Sequence, residues 1–430
     1  MIVTGRFLTL LLCGAVPTVL RPEFSTVWAW TGLCVLLLLA DLGAAGSPRR
    51  LALTRVPTAP VRLGDSTTTT LLVVNPGRRR FRGLLRDAWQ PSAGATGNRH
   101  TLNLPGGERR AVTTALRPTR RGDRLADRVT VRRLGPLRLA GRQRSIIAPG
   151  HVRALPPFHS RKHLPSRLAR LRQLDGRSAV RTRGQGTEFD SLRDYVDGDD
   201  VRSIDWRATA RRRTTVVRTW QPEKDRHIIL VLDTSRTSAG RVGDVPRLDA
   251  AMDAALLLAA LASRAGDRVD LVAGDRRVHR KVVGASRTTL LGDLVQAMAP
   301  LEPALLEADW TLLTAEVARV SRQRGLVVLL TPLEPSAIEE SLLPPLAVLA
   351  QRHRVVLASV SDPALTAMLD RSADVREVYD SAAAARTIAL RQRTASALAR
   401  LGVDVLDADP EELPVALADH YLMLKSRGLL

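Results

Sequence analysis

HIILVLDTSRTS, residues 227–238, decides how the rest of the chain is read. Ile228 to Leu232 is a short unbroken apolar run, as expected of a strand buried on both faces of a parallel sheet. It ends at Asp233, with Ser235 and Thr237 at alternate positions beyond it. A carboxylate and two hydroxyls past the carboxyl end of a strand are hard oxygen donors of the kind Mg²⁺ or Ca²⁺ takes. The same residues equally suit a polar turn that caps a following helix.

Downstream, the period of the apolar residues switches repeatedly. Helix 249–264 precedes strand 268–273, a Gly274-Asp275 turn and strand 278–283, a hairpin whose Arg and Lys residues protect a sheet edge. Helices at 289–298 and 310–322, strand 326–330, a helix near 335–351 and strand 355–360 follow. A helix at 382–401, strand 403–406 and a helix from 411 to 425 end the chain. Such alternation predicts a doubly wound α/β domain of Rossmann type over 225–430.

Upstream, residues 184–211 read GQGTEFDSLRDYVDGDDVRSIDWRATAR. This run resembles the signature of the bacterial domain-of-unknown-function fifty-eight family. Asp-x-Ser-x-Thr after the strand resembles the first loop of the metal-ion-dependent adhesion site of von Willebrand factor A domains. The resemblance implies a membrane hairpin, a β-sandwich and a von Willebrand factor A-like domain that works with a MoxR-type AAA-plus ATPase. It also implies a metal set of Asp233, Ser235 and Thr237, completed by Thr288 or Thr289 from a second loop. An Asp is expected after strand 326–330, but the chain reads Thr331-Pro332-Leu333-Glu334 there, which puts affinity for Mg²⁺ in doubt.

The signature itself carries Glu188, Asp190, Arg193, Asp194, Tyr195, Asp199, Asp200, Arg202, Asp205, Trp206 and Arg211. So many carboxylates invite a metal-dependent hydrolase. An arginine within a few residues of most of them fits a salt-bridged, partly buried seam around Tyr195, Ile204 and Trp206 better.

The net charge of +22 is carried almost wholly by arginine, since lysine occurs only at Lys162, Lys224, Lys281 and Lys425. That charge favours anionic partners: a phospholipid surface, an acidic protein face or nucleic acid. Aromatic residues, at 3%, leave few platforms for stacking single-stranded bases. Cys13 and Cys34 both lie in apolar segments, so neither a disulfide framework nor a zinc cluster is expected. No P-loop, dinucleotide glycine fingerprint, G-x-S-x-G elbow or HExxH occurs.

Residues 7–20 and 27–45 are apolar, and Arg21 to Ser25 connects them, which predicts a transmembrane helical hairpin over 1–48. Arg49, Arg50 and Arg55 after the second segment place both ends and the later domains on the cytoplasmic side of a bacterial membrane. Residues 49–150 read as short strands between turns, for example 67–74 and 129–132, and predict a basic β-sandwich. Its arginines suit either lipid head groups or a solvated surface that blocks edge pairing. Residues 151–224 join the domains, and a proline-rich stretch makes His159 and His163 a poor metal pair. The expected function is a membrane-anchored, non-enzymatic interaction factor; the alternatives are the hydrolase and a membrane-tethered nucleic-acid binder.

Overall fold

The computed structural model describes residues 1–46, 51–181, 188–221, 226–370 and 374–430, with the side chains of 175–181, 188–191 and 219–221 left aside. The chain divides into two compact units, Met1–Leu155 and Pro156–Leu430.

The first unit begins with β1 (Ile2–Val3), α1 (Gly5–Leu12), α2 (Ala15–Leu20) and α3 (Phe24–Ala44). Only α3, with 21 residues and a mean hydropathy of 1.8, is long and apolar enough among the described residues to cross a membrane. The other apolar segment, Gly5–Leu20, is shorter and breaks at Cys13-Gly14. Gly14 is needed there, because a Cβ would meet the Trp30 ring at 2.3 Å. That close approach lets Trp30 donate from Nε1 to the Leu10 carbonyl.

Ten strands make up the first unit, β1 and the nine that follow α3. These are β2 (Ala52–Arg55), β3 (Val61–Arg62), β4 (Thr67–Val74), β5 (Phe81–Trp89), β6 (Ala95–Thr96), β7 (Arg99–Leu104), β8 (Arg109–Leu116), β9 (Gly122–Leu134) and β10 (Ala140–Leu155). One sheet runs β1-β10-β9-β5-β7, with β3 also on β10, and the other runs β2-β4-β8-β6. Alternate residues of both sheets, among them Leu71, Val73, Leu85, Val112, Val129 and Val131, share one core. Arg55 does not follow α3 as a free charge. It is buried and grips Asp87 through two hydrogen bonds of 3.0 and 2.6 Å. Asp87 also accepts from Trp89 and Thr114. Arg49 and Arg50 lie outside the described residues.

In the second unit, α4 (Leu164–Arg181) precedes β11 (Glu188–Asp194), α5 (Trp206–Arg212) and β12 (Val216–Gln221). Then come β13 (His227–Asp233), β14 (Arg241–Val242), β15 (Val245–Pro246), α6 (Arg247–Arg264), β16 (Arg268–Gly274), β17 (Val278–Val282), α7 (Leu290–Met298) and α8 (Trp310–Val320). The rest is β18 (Leu326–Leu330), α9 (Pro335–Ala337), α10 (Leu343–Arg352), β19 (Arg354–Val360), α11 (Pro363–Leu369), α12 (Val375–Arg400), β20 (Val403–Ala408) and α13 (Leu413–Arg427). The main sheet has the order β17-β16-β13-β18-β19-β20, parallel except for the antiparallel edge strand β17.

Period-two alternation sends Ile229, Val231, Val327 and Leu329 to one face, where they pack on Trp310, Leu313, Leu346 and Leu398. The intervening Ile228, Leu230 and Leu232 are equally buried, and α6 packs on β13 and β16. Helix α6 is apolar almost all round because α4 and α13 cover it as well. The helix expected from residue 382 begins at Val375, and α11 ahead of it was not anticipated.

The buried Arg55–Asp87 pair gives a test of the first unit's core. Asp87→Ala leaves an unpaired guanidinium in the interior and should cost about 3–5 kcal/mol. The double variant R55M/D87L removes both charges and should cost clearly less. Urea unfolding of the full chain in detergent measures both; equal losses would contradict the pairing.

Candidate functional site at the carboxyl edge of the main sheet

Strand β13 delivers Asp233 to the carboxyl edge, level with Gly274 of β16. The Asp233 carboxylate is buried and surrounded by donors. Its Oδ1 accepts from the Ser235 backbone N–H at 2.7 Å. Its Oδ2 accepts from the Thr237 hydroxyl at 3.1 Å and the Thr331 hydroxyl at 2.7 Å. The Ser235 and Thr237 hydroxyls are 3.0 Å apart. Burial pushes the Asp233 pKa above its ordinary value of 3.8, and these hydrogen bonds only partly offset it.

Three predicted residues, Asp233, Ser235 and Thr237, therefore converge, and Thr331 from the end of β18 joins them. Thr288 and Thr289 do not. Strand β17 runs antiparallel to β16, so it carries the chain back to the amino edge of the sheet. There the Gly284 N–H donates to Asp270 and Arg287 donates to the Gly266 carbonyl. Both threonines hydrogen-bond Ser286 instead. A seven-residue strand puts roughly 20 Å between the two edges. Glu334 does not reach Asp233 either, since Arg247 holds it at 2.9 Å.

A second buried carboxylate, Asp275, stands on the same edge just after β16. It accepts from the Thr234 hydroxyl at 3.0 Å, and His279 Nε2 lies 2.7 Å away. Burial raises its pKa, but the bonds to His279 and Thr234 outweigh that and hold it below the ordinary value. Beyond β19, the buried Arg391 forks onto Asp407 at 3.0 and 2.6 Å and donates to the Ser359 hydroxyl. The carboxyl edge thus carries buried acids already matched to donors.

That chemistry does not fit a resident divalent ion. One carboxylate and three hydroxyls offset only half of a 2+ charge, and three donors already occupy the carboxylate, two of them on Oδ2. Among the described residues, no group of three His, Cys, Asp or Glu side chains is placed to hold a metal.

The signature segment forms a separate element. Strands β11 and β12 pair antiparallel, and Ile204 bridges Val217. Asp199 accepts from Arg193 at 2.6 Å and from the Val196 N–H at 3.0 Å. Asp200 caps the following turn through the Arg202 N–H. Asp205 caps α5 through the N–H groups of Arg207 and Ala208, and its other oxygen takes Arg218. The Ala208 N–H, then Arg218, hold the Asp205 pKa below its ordinary value. Each of these acids thus serves a turn, a cap or an ion pair. Tyr195 and Ile204 are half-buried as a seam requires, whereas Trp206 is 70% exposed and Arg202 and Arg211 face solvent. The side chain of Glu188 lies outside the described residues.

With that geometry in place, comparison with known proteins locates the segment. Residues 191–400 match the family described as protein of unknown function DUF58. Uncharacterized protein Rv1480 of Mycobacterium tuberculosis and Mb1516 of Mycobacterium bovis are each 30% identical over 185 residues, 42% of this chain. The chain spans 56% of the length of these curated relatives. Among solved structures, the RO protein of Deinococcus radiodurans aligns over 49% of this chain and 36% of its own at 15% identity, with a TM-score of 0.24. A PapD-like domain of human CEP192 aligns over 25% of this chain and 90% of its own at 13% identity, with a TM-score of 0.17. Similarity at that level carries no argument about either unit.

The raised Asp233 pKa predicts a pH effect of definite sign. On alkalinisation the unfolded chain loses this proton first, so stability falls as pH climbs from 3.8 toward the folded value. Acidification from neutrality through that window should therefore return stability to the wild type relative to Asp233→Asn, which has no proton to take up. Urea midpoints of both proteins across pH 4–7 measure the difference; parallel curves would contradict it.

Proposed function

We propose that the chain is a membrane-anchored, non-enzymatic interaction and assembly factor. Its second unit is a doubly wound, von Willebrand factor A-like domain, and its partner is a MoxR-type AAA-plus ATPase. The observation that carries this reading is the loop Asp233–Thr237 with Thr331. It sits where open α/β sheets receive ligands, yet it is built of hydroxyls and N–H groups that satisfy one another. Such a loop docks a protein face by exchanging hydrogen bonds and needs no Mg²⁺. The signature acids, used as caps and ion pairs, support a structural role for that segment over hydrolysis.

The anchor is a hairpin of Gly5–Leu20 and Phe24–Ala44 in the cytoplasmic membrane, with both soluble units in the cytoplasm. Two contacts support a hairpin whose ends share one side. Strand β1 pairs with β10 at Ala140 and Gly141, and Asp41 near the end of α3 binds the turn just before them. Exposed arginines at that end, Arg6 and Arg142 among them, agree with the positive-inside rule.

Capture of the ATPase from detergent-solubilised membranes tests the docking loop. Asp233→Ala frees the hydroxyls and should weaken capture roughly tenfold, about 1.4 kcal/mol, while a chelator leaves wild-type capture unchanged. Capture abolished by chelator would establish a metal-bridged contact instead. Protease added outside spheroplasts should leave both units uncut, and digestion there would reverse the orientation.

A further inference from the structure

Asp41 is an unusual residue to find at the end of an apolar helix, and its carboxylate is buried. Oδ1 accepts from the Leu137 N–H at 2.8 Å, and Oδ2 accepts from Leu139 at 2.8 Å and Ala140 at 2.9 Å. Three N–H groups converging on one carboxyl group make a directional clamp. Gly135 makes room for it, since a Cβ there would meet Asp41 Oδ1 at 2.1 Å. The start of the chain grips the same turn. The Thr4 hydroxyl donates to the Arg138 carbonyl at 2.6 Å, and the Thr4 N–H donates to Leu139.

Both ends of the helical hairpin are thus bolted to the β9–β10 turn, within hydrogen-bond distance. If α3 crosses the bilayer, the turn cannot stand off from it. We infer that the β9–β10 turn is a lipid-contact surface, with Leu137 entering the acyl boundary and Arg138 and Arg142 binding the phosphates of acidic phospholipids. The inference rests on the membrane-anchored reading above and goes further by assigning the contacting residues and the lipid class.

The side chains fit that partner. Leu137 is 52% exposed at the tip of the turn. Arg138 and Arg142 are exposed, and among the described residues no acidic side chain pairs with them. Arg6, on the first turn of α1, adds a third cation at the same level. Arg138 holds φ at +57°, a left-handed conformation that glycine adopts at lower cost. An apolar tip ringed by arginines matches the order of acyl chain and phosphate at an anionic interface.

The test uses the full chain in nanodiscs, neutral or with one-third phosphatidylglycerol. Cys13→Ser and Cys34→Ala clear the background, and a spin label is placed at Leu137→Cys, Leu36→Cys or Asp127→Cys. Relative accessibility to oxygen and a water-soluble nickel chelate reports depth. The label at 36 should read deep in the bilayer, the label at 137 should read at the boundary between head groups and acyl chains, and the label at 127 should read aqueous. Spin-labelled phosphatidylglycerol should be enriched around the wild type, and R138Q/R142Q should lower that enrichment about 25-fold, at about fivefold per arginine. A deep label at 36 with an aqueous label at 137, or enrichment unchanged in R138Q/R142Q, overturns the lipid surface and leaves the anchor standing. An aqueous label at 36 overturns the anchor itself, and the lipid surface with it.

Discussion

A carboxylate removed from water must be given donors or a proton, and Asp233 is the carboxylate on which the second unit turns. It stands at the end of the central strand, so its donors come from the loops that the sheet brings together at that edge. Ser235 and Thr237 arrive from its own loop, and Thr331 arrives from the neighbouring strand β18. The arrangement turns one N–H and two hydroxyls onto the acid. What remains for a partner is a firm polar rim rather than an open coordination sphere.

Much of this was legible in sequence because burial writes itself into periodicity. The run Ile228–Leu232 has no polar residue, and only a strand covered on both faces tolerates that. The misplaced residue was Thr289, and the correcting signal lay in the same reading. A hairpin reverses direction, so a loop after β17 must lie at the amino edge, away from Asp233. Thr331, directly after a parallel neighbour of β13, was the threonine that topology favoured. Arg391 and Asp407 were not legible, because their pairing joins α12 to β20 across 16 residues with no motif at either end.

The acidic signature was read as a seam, and its hydrogen bonds fit a seam in part. Asp199, Asp200 and Asp205 each close a turn or a helix start, which is why carboxylates recur there at short spacing. Trp206 departs from it, exposed at the start of α5 where a buried aromatic was expected. In the first unit, sequence suggested free arginines after the membrane segment, yet Arg55 is consumed inside the core by Asp87. Among the described residues, outward-facing charges beside the helix ends come from a turn almost 100 residues later in the chain. Only the fold, through Asp41, places them there.

Asp233 takes its hydrogen bonds from the Ser235 N–H and from the Thr237 and Thr331 hydroxyls, and the two hydroxyls fill its Oδ2. Crystals of the protein grown with millimolar Mn²⁺, with diffraction recorded near the manganese edge, test it most directly. The account predicts no anomalous peak within bonding distance of Asp233, and Thr237 and Thr331 hydroxyls still on its Oδ2. A well-occupied manganese ion bound by Asp233, Ser235 and Thr237 would contradict it.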